Sequence, residues 1–306
     1  MISNLNPANE AFLGNLARVQ RNLETATRQV SSGLRVNSAS DAPADVDTIV
    51  QLRTDLVRNK QVSNDLALAK TDADAADSAF NSATKLLDRA RSLGAQGANF
   101  TLDAGGRQSL AGEVQALQEQ MVSISRTAVQ GRYIFSGDAE NTPPYQLDLT
   151  SATGITRLTT AAATRRLEDP AGGTFPISKT ACEIFSASNS DGTPSSSNVF
   201  AALNSLRIAL LANDTKAITA AVGKVDAAGT HLGIEQGFYG SVIGRIQDAT
   251  SFGQSYDTQL KAELSQKVDA DMTEAAMNLT QSSTQLQAAL QMQGRMPHTS
   301  LFDFLG

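Results

Sequence analysis

Side chains able to carry acid–base, nucleophilic or metal chemistry are few in this chain and badly placed for it. The two histidines are His231, beside glycines in a helical stretch, and His298, in a proline-flanked tail. No HExxH, GxSxG or GxxxxGK[ST] pattern accompanies them. Asp72, Asp74 and Asp77 resemble a cation-binding cluster in composition. They fall on a helix rather than a turned loop, with no glutamate at calcium-loop spacing, and so read as a solvated acidic face. Cys182 is the only cysteine, which excludes an internal disulfide and a thiol-rich metal site. Between Ala181 and Glu183-Ile184-Phe185 it reads as a small buried side chain. Arg165-Arg166 is the densest basic spot in a chain of net charge −6. Nucleic acid needs a basic stripe to displace counterions, and none is present. The chemistry these residues leave open is contact between surfaces, without a catalytic, cofactor or metal site.

The contact residues stand at the two ends. Phe12, Leu16, Val19, Leu23, Ala26 and Val30 step by four and three residues. Met272, Ala275, Leu279, Ser282, Leu286, Ala289, Gln293 and Met296 step by three and four. Both rhythms mark one face of a helix and the seam of a coiled coil. The simplest geometry pairs the two ends and leaves the middle of the chain as an excursion. The seams are thin: Ala26 adds little apolar surface, and Ser282 and Gln293 are polar. The pair is therefore expected to be marginal in a lone monomer and completed by neighbouring copies. The assembly residues expected on this reading are Phe12, Leu16, Val19, Leu23, Val30, Met272, Leu279, Leu286 and Met296.

The elements follow from the same periodicity. A first helix is predicted from Pro7 to Ser32, with Gly33 as its left-handed cap. A second runs from Ala42 to Gly97, with Ser40 or Asp41 as cap and Pro43 in its first turn. Its small, acidic stretch 71–77 predicts a thin face where a partner packs closely. A third helix carries Leu110, Val114, Leu117, Met121, Ile124 and Ala128 and ends at Gly131. Beyond it the period changes to two. Arg132–Phe135, Tyr145–Leu149, Ile155–Leu158, Thr164–Leu167 and Phe175–Ile177 read as short strands, and 186–198 as a linker. Helices return with Val199, Leu203, Leu206 and Leu210, then a long one from Asp214 to Val268. Glycines at 223, 229, 233, 237, 240 and 244 thin that helix and predict bends or close helix approach.

The fold class is thus mainly α: a long coiled-coil helical rod built from N- and C-terminal segments, with a small β-rich inserted domain. The expected division is a terminal coiled coil of 1–40 with 269–306, a helical rod of 41–131 with 199–268, and a β-rich outer insert and linker over 132–198. The start Met1–Pro7 has neither a charged nor an apolar region of a secretory signal. No apolar run approaches a membrane span. The expectation is a soluble chain that uses another export route.

Several stretches resemble one family. Ser31-Ser32-Gly33-Leu34-Arg35-Val36-Asn37, followed by Ser40-Asp41-Ala42-Pro43-Ala44, is similar to the N-terminal signature of bacterial flagellins and hook-associated proteins. Gly131–Gly137 with Thr142–Tyr145 resembles the point where such chains leave the rod for an outer domain. Asp269–Ala275 resembles the start of their C-terminal helix, and Ser300–Leu305 resembles the end of the hook–filament junction members. The order of these matches along the whole chain is specific, though no single one is.

This resemblance implies a structural subunit of the bacterial flagellum, a junction adaptor between hook and filament. It implies a homo-oligomeric ring that meets the first hook-associated protein on one side and flagellin on the other. It also implies an export chaperone at the C-terminal helix, and an extracellular, flagellar location reached by type III export without a cleaved signal. No nucleic acid or membrane partner is implied. A filament flagellin, or a coiled-coil signalling adaptor, are the alternative readings. Leu87–Leu93 with Glu113 also resembles a flagellin surface recognised by an animal Toll-like receptor. Arg89, Leu93 and Glu113 read first as ordinary rod-face residues.

Overall fold

The computed structural model describes residues 7–295. In chain order its elements are α1 (Pro7–Ser32), α2 (Val46–Gly97), α3 (Ala104–Ser125), β1 (Ala128–Val129), β2 (Arg132–Tyr133), β3 (Tyr145–Leu147) and β4 (Ile155–Arg157). They continue with β5 (Arg166–Glu168), β6 (Thr174–Pro176), α4 (Ala181–Phe185), α5 (Val199–Leu211), α6 (Thr215–Val268) and α7 (Met272–Arg295). The long helices and the small strand-containing insert are as expected. The chain separates into two units, 1–58 with 255–306, and 59–254.

The unit of residues 59–254 is a helical bundle with three antiparallel two-stranded sheets, β1–β2, β3–β4 and β5–β6. Along α2, Val62, Leu66, Ala69, Ala73, Ala76, Phe80, Ala83, Leu87, Ala90 and Leu93 are all buried. Ala73 and Ala76 make the thin face expected in the acidic stretch. The core centre is aromatic. The Phe80 ring lies 6.1 Å from Phe135, 6.5 Å from Phe185 and 5.4 Å from Tyr239. Tyr145 meets Phe200 edge-on at 5.0 Å. Burial pushes the phenols of Tyr145 and Tyr239 up from their ordinary value, so both stay protonated. The sheets reach this core through Tyr145, Ile155, Leu167 and Phe175, one buried side chain from each of β3 to β6. In register, Gln146 faces Thr156 and Leu167 faces Phe175.

Several local expectations change. The second helix begins at Val46 rather than Ala42, so Pro43 precedes it, and Asp41 accepts from the Asn37 and Ser38 N–H groups instead of capping it. The third helix stops at Ser125 rather than Gly131. Gln130 and Gly131 both have positive φ, 52° and 79°, and form the two-residue turn of the β1–β2 hairpin. The helical rhythm carried through Ala128 only by coincidence. Five of the α6 glycines mark no close approach: a Cβ at Gly223, Gly233, Gly237, Gly240 or Gly244 would meet nothing within 4 Å, whereas one at Gly229 would touch Leu87 and one at Gly253 would lie 3.3 Å from Pro170; the helix runs unbroken. Among the helical glycines, Gly94 and Gly97 of α2 are tight: a Cβ there would overlap Val222 and Leu210.

Asp72 is no solvated acid. It is buried and accepts from Arg132 at 3.4 Å and from both terminal nitrogens of Arg165 at 3.2 Å. These bonds tie the insert to α2. Cys182 is half-buried, with Nη1 of Arg157 3.1 Å from its sulfur.

The second unit contains α1, α7, the segment between α1 and α2, and the adjoining parts of α2 and α6. Its apolar cluster is small: Val36, Ala42, Ile49 and Val268, with Leu34 and Leu264 packed against them.

Candidate assembly site at the paired terminal helices

The segment Ser32–Val46 folds into a clasp that joins the end of α1 to the start of α7. Gly33 takes φ +72°, the left-handed cap conformation, and its N–H returns to Gln29 O at 2.9 Å. The chain then runs alongside 268–270. Arg35 N–H and Val36 N–H both reach Val268 O, at 2.7 and 3.2 Å, and Ala270 N–H reaches Gly33 O at 2.9 Å. Side chains close the clasp. Arg35 donates to Lys267 O at 2.6 Å, and the Lys267 ammonium donates to Asp45 at 2.9 Å. The hydrogen bond and charge of Lys267, with Arg35 nearby, hold the Asp45 carboxyl below its ordinary value. Asp41 accepts from the backbone N–H groups of Ser38 and Asn37, at 2.8 and 3.0 Å, which lowers its carboxyl likewise.

From this clasp α1 leaves by its C-terminal end and α7 by its N-terminal end, and the two pack side by side, hence antiparallel. The expected seam residues lie on these two helices with uneven burial. Ala26 and Ala275 are each 2% exposed and Ser282 6%. Phe12, Leu16, Val19, Leu23, Val30, Leu279 and Leu286 are only half-buried. Met272 is 48% exposed at the start of α7. Met296 lies outside the described residues. Small side chains thus fill the closest contact, and the large ones flank it with surface to spare. Beside the contact runs a groove of about 390 Å³, lined by Asn22, Gln29, Asn278, Gln281, Ser282 and Gln285 among others. No ionisable side chain lines it. Among the described residues no helix is long and apolar enough to cross a membrane, and no three His, Cys, Asp or Glu side chains converge as metal ligands.

Two family models cover most of the chain. The bacterial flagellin N-terminal helical region matches residues 2–140, and the bacterial flagellin C-terminal helical region matches 216–305. They bracket the clasp and both paired helices. The chain belongs to the bacterial flagellin and flagellar hook-associated protein family. Within that family it is 25% identical over 294 residues to flagellar hook-associated protein 3 of Escherichia coli K12, spanning 90% of both chains. It is 32% identical to flagellin A of Vibrio cholerae over 127 residues, 40% of this chain and 32% of that one. In fold it is similar to flagellar hook-associated protein 3 of Legionella pneumophila, with a TM-score of 0.62 over 71% of this chain and 98% of the other, at 15% identity.

For a flagellin-family chain, the clasp gives the N-terminal signature a physical meaning. Gly33 supplies a conformation, Asp41 satisfies two backbone donors, and Val36 with Ala42 builds the apolar cluster. Sequence periodicity missed Asp45 and Lys267, because a bond between residues so far apart leaves no local signal. It also gave Ala26, Ala275 and Ser282 less weight than the leucines. The segment resembling a receptor-binding surface divides. Arg89 and Glu113 pair at 2.7 Å on the exposed side, whereas Leu93 is 1% exposed and belongs to the core.

Proposed function

We propose that this chain is a structural subunit of the junction between flagellar hook and filament, assembling with further copies through α1 and α7. The observation that carries this reading is the half-buried seam. Large apolar side chains stand at coiled-coil spacing on two paired helices, yet Leu16, Leu23, Leu279 and Leu286 are only half-covered. Surface of that kind is completed by more helices of the same sort. The length of the similarity to hook-associated protein 3 supports the junction role over the filament role. The shorter but closer match to flagellin A keeps filament flagellin as the second reading.

In the proposed assembly the terminal pair forms a shared column, the helical bundle forms the rod, and 132–198 forms the outer insert. Phe12, Leu16, Val19, Leu23, Val30, Met272, Leu279, Leu286 and Met296 make the column contacts. The partners are a ring of copies, the first hook-associated protein, flagellin, and an export chaperone on the C-terminal helix. The location is extracellular, reached by flagellar type III export without a cleaved signal. Its role is mechanical coupling rather than catalysis.

The test is assembly with purified flagellin, scored by electron microscopy. A junction subunit forms short rings or caps and restores filaments to cells lacking their own copy. Long fibres from the chain alone would favour the filament reading instead. Leu286→Asp places a charge in the seam, and the expected result is loss of assembly with the bundle still folded. Unaltered assembly of that variant removes the seam from the mechanism.

A further inference from the structure

Asn-X-Thr, with X other than proline, is the acceptor pattern for a sugar on an asparagine side chain. It occurs three times in this chain, as Asn99-Phe100-Thr101, Asn213-Asp214-Thr215 and Asn278-Leu279-Thr280. The pattern alone carries little, because an amide nitrogen is a poor nucleophile whose lone pair is delocalised into the carbonyl. Reaction needs a proton of Nδ2 made easier to remove, with donors on the oxygen that takes up the charge. It also needs an acceptor that an enzyme can reach.

The structure separates the three. Asn278 lies within α7, where residues two apart do not face each other, and Thr280 gives its hydroxyl to Ala276 O at 2.9 Å. Asn213 has its Oδ1 taken by the guanidinium of Arg107. Asn99 instead closes on its own threonine. Its Oδ1 accepts from the Thr101 N–H at 3.1 Å and from the Thr101 hydroxyl at 3.0 Å. Two donors on that oxygen stabilise the imidate that forms as Nδ2 loses a proton. Asn99, Phe100 and Thr101 are all exposed, Phe100 at 88%. Their backbone is nevertheless held. Buried Arg107 donates to Gly97 O at 2.7 Å and to Asn99 O at 2.8 Å, and the Leu102 N–H reaches Asn99 O at 3.2 Å. The turn between α2 and α3 thus presents a preformed acceptor tripeptide without cover.

We propose that Asn99 is a glycosylation site. The substrate class is a glycosyl diphosphate, a sugar whose C1 carries a diphosphate ester, brought by a transferase of the cell. Nδ2 of Asn99 attacks C1, and the C1–N bond forms as the bond from C1 to the phosphate oxygen breaks. The diphosphate leaves with the bonding electrons, and one amide proton passes to a base of the transferase. A sugar on Asn99 has the Phe100 ring as its neighbour and removes part of that apolar surface from water. The proposal goes beyond the junction reading and does not rest on it.

The test uses the full chain purified from the cells that make it. Trypsin cuts after Arg91 and Arg107 and releases residues 92–107, in which Asn99 is the only asparagine. Mass spectrometry is expected to find sugar on that peptide, and fragmentation to place it on Asn99. A single sugar indicates a nucleoside-diphosphate donor, and a preassembled oligosaccharide a lipid-diphosphate donor. Thr101→Ala removes the hydroxyl donor at an exposed position, and occupancy is expected to fall at least about tenfold. Thr101→Ser keeps both donors and is expected to retain it. An unmodified wild-type peptide, sugar on Ser92 or Thr101 instead, or equal occupancy in Thr101→Ala overturns the proposal and leaves the junction reading intact.

Discussion

The two units of this chain use the same heptad rhythm to different ends. In the bundle, Leu66, Leu203, Leu206 and Ile246 are fully buried, with 0% exposure, and Phe80 sits at 0% in a ring of aromatic neighbours. In the terminal pair the same three-four spacing leaves Leu16, Leu23, Leu279 and Leu286 half-covered, while only alanines and a serine are buried between the helices. The bundle has additional helices and sheet side chains to cover each seam from a second side. The terminal pair has one seam meeting one seam. A heptad pattern therefore states which face wants cover, and the number of neighbours decides whether a single chain provides it.

The largest expected effect comes from breaking the closed side of this contrast. Phe80→Ala removes a ring that meets Phe135, Phe185 and Tyr239, and should cost about 3–5 kcal/mol in thermal or denaturant unfolding of the bundle. A matched pair then sharpens it. Leu206→Ala, at a fully buried site, should cost about 2–5 kcal/mol, whereas Leu23→Ala in the terminal pair should cost the monomer under about 1.5 kcal/mol. Equal losses from the two leucines would mean the terminal pair is already a finished core.

Gly154→Ala probes how the insert is held on the bundle. Gly154 has φ +75°, and an added Cβ would overlap the Gln118 amide that donates to Thr153 O at 3.2 Å. About 1–3 kcal/mol should be lost, with α1 and α7 unaffected. Retained stability would show that the loop over 148–154 shifts freely.

The smallest effect is a pH dependence confined to the clasp. Asp41 and Asp45 are held below the ordinary carboxylate value in the folded chain, Asp41 chiefly by the Ser38 N–H and Asp45 chiefly by Lys267. A depressed carboxyl contributes stability above its unfolded value and loses it as pH falls through the folded one. Amides of Asn37 and Ser38 should therefore exchange faster below about pH 4, while bundle amides remain protected. Faster exchange near neutral pH would remove these carboxylates as the cause.

Much of this architecture was legible in local pattern. Helix α1 ends at Ser32 because Gly33 follows, and α2 and α6 are each one long helix as expected. The strands show as short alternating runs between turn residues, and Gly33 shows as the cap of α1; Asp41 reads as a helix cap but bonds back to Asn37 and Ser38. Where a pattern continued by chance, as at Ala128, the reading overran; a positive-φ pair at Gln130 and Gly131 made a hairpin instead of a cap. The glycines of α6 misled for a related reason. A missing Cβ signals close approach only if something stands opposite, and nothing does at Gly223, Gly233, Gly237, Gly240 or Gly244.

The sequence by itself determined the helices, the Gly33 cap of α1 and the faces that need cover, because each is written within a few residues. Only the tertiary structure decided that Asp72 lies under two arginines, that Lys267 closes on Asp45, and that Leu93 is core. Those facts depend on which distant segments meet. Local spacing is blind to them because the free energy of such a contact belongs to the pair, and neither residue carries it alone.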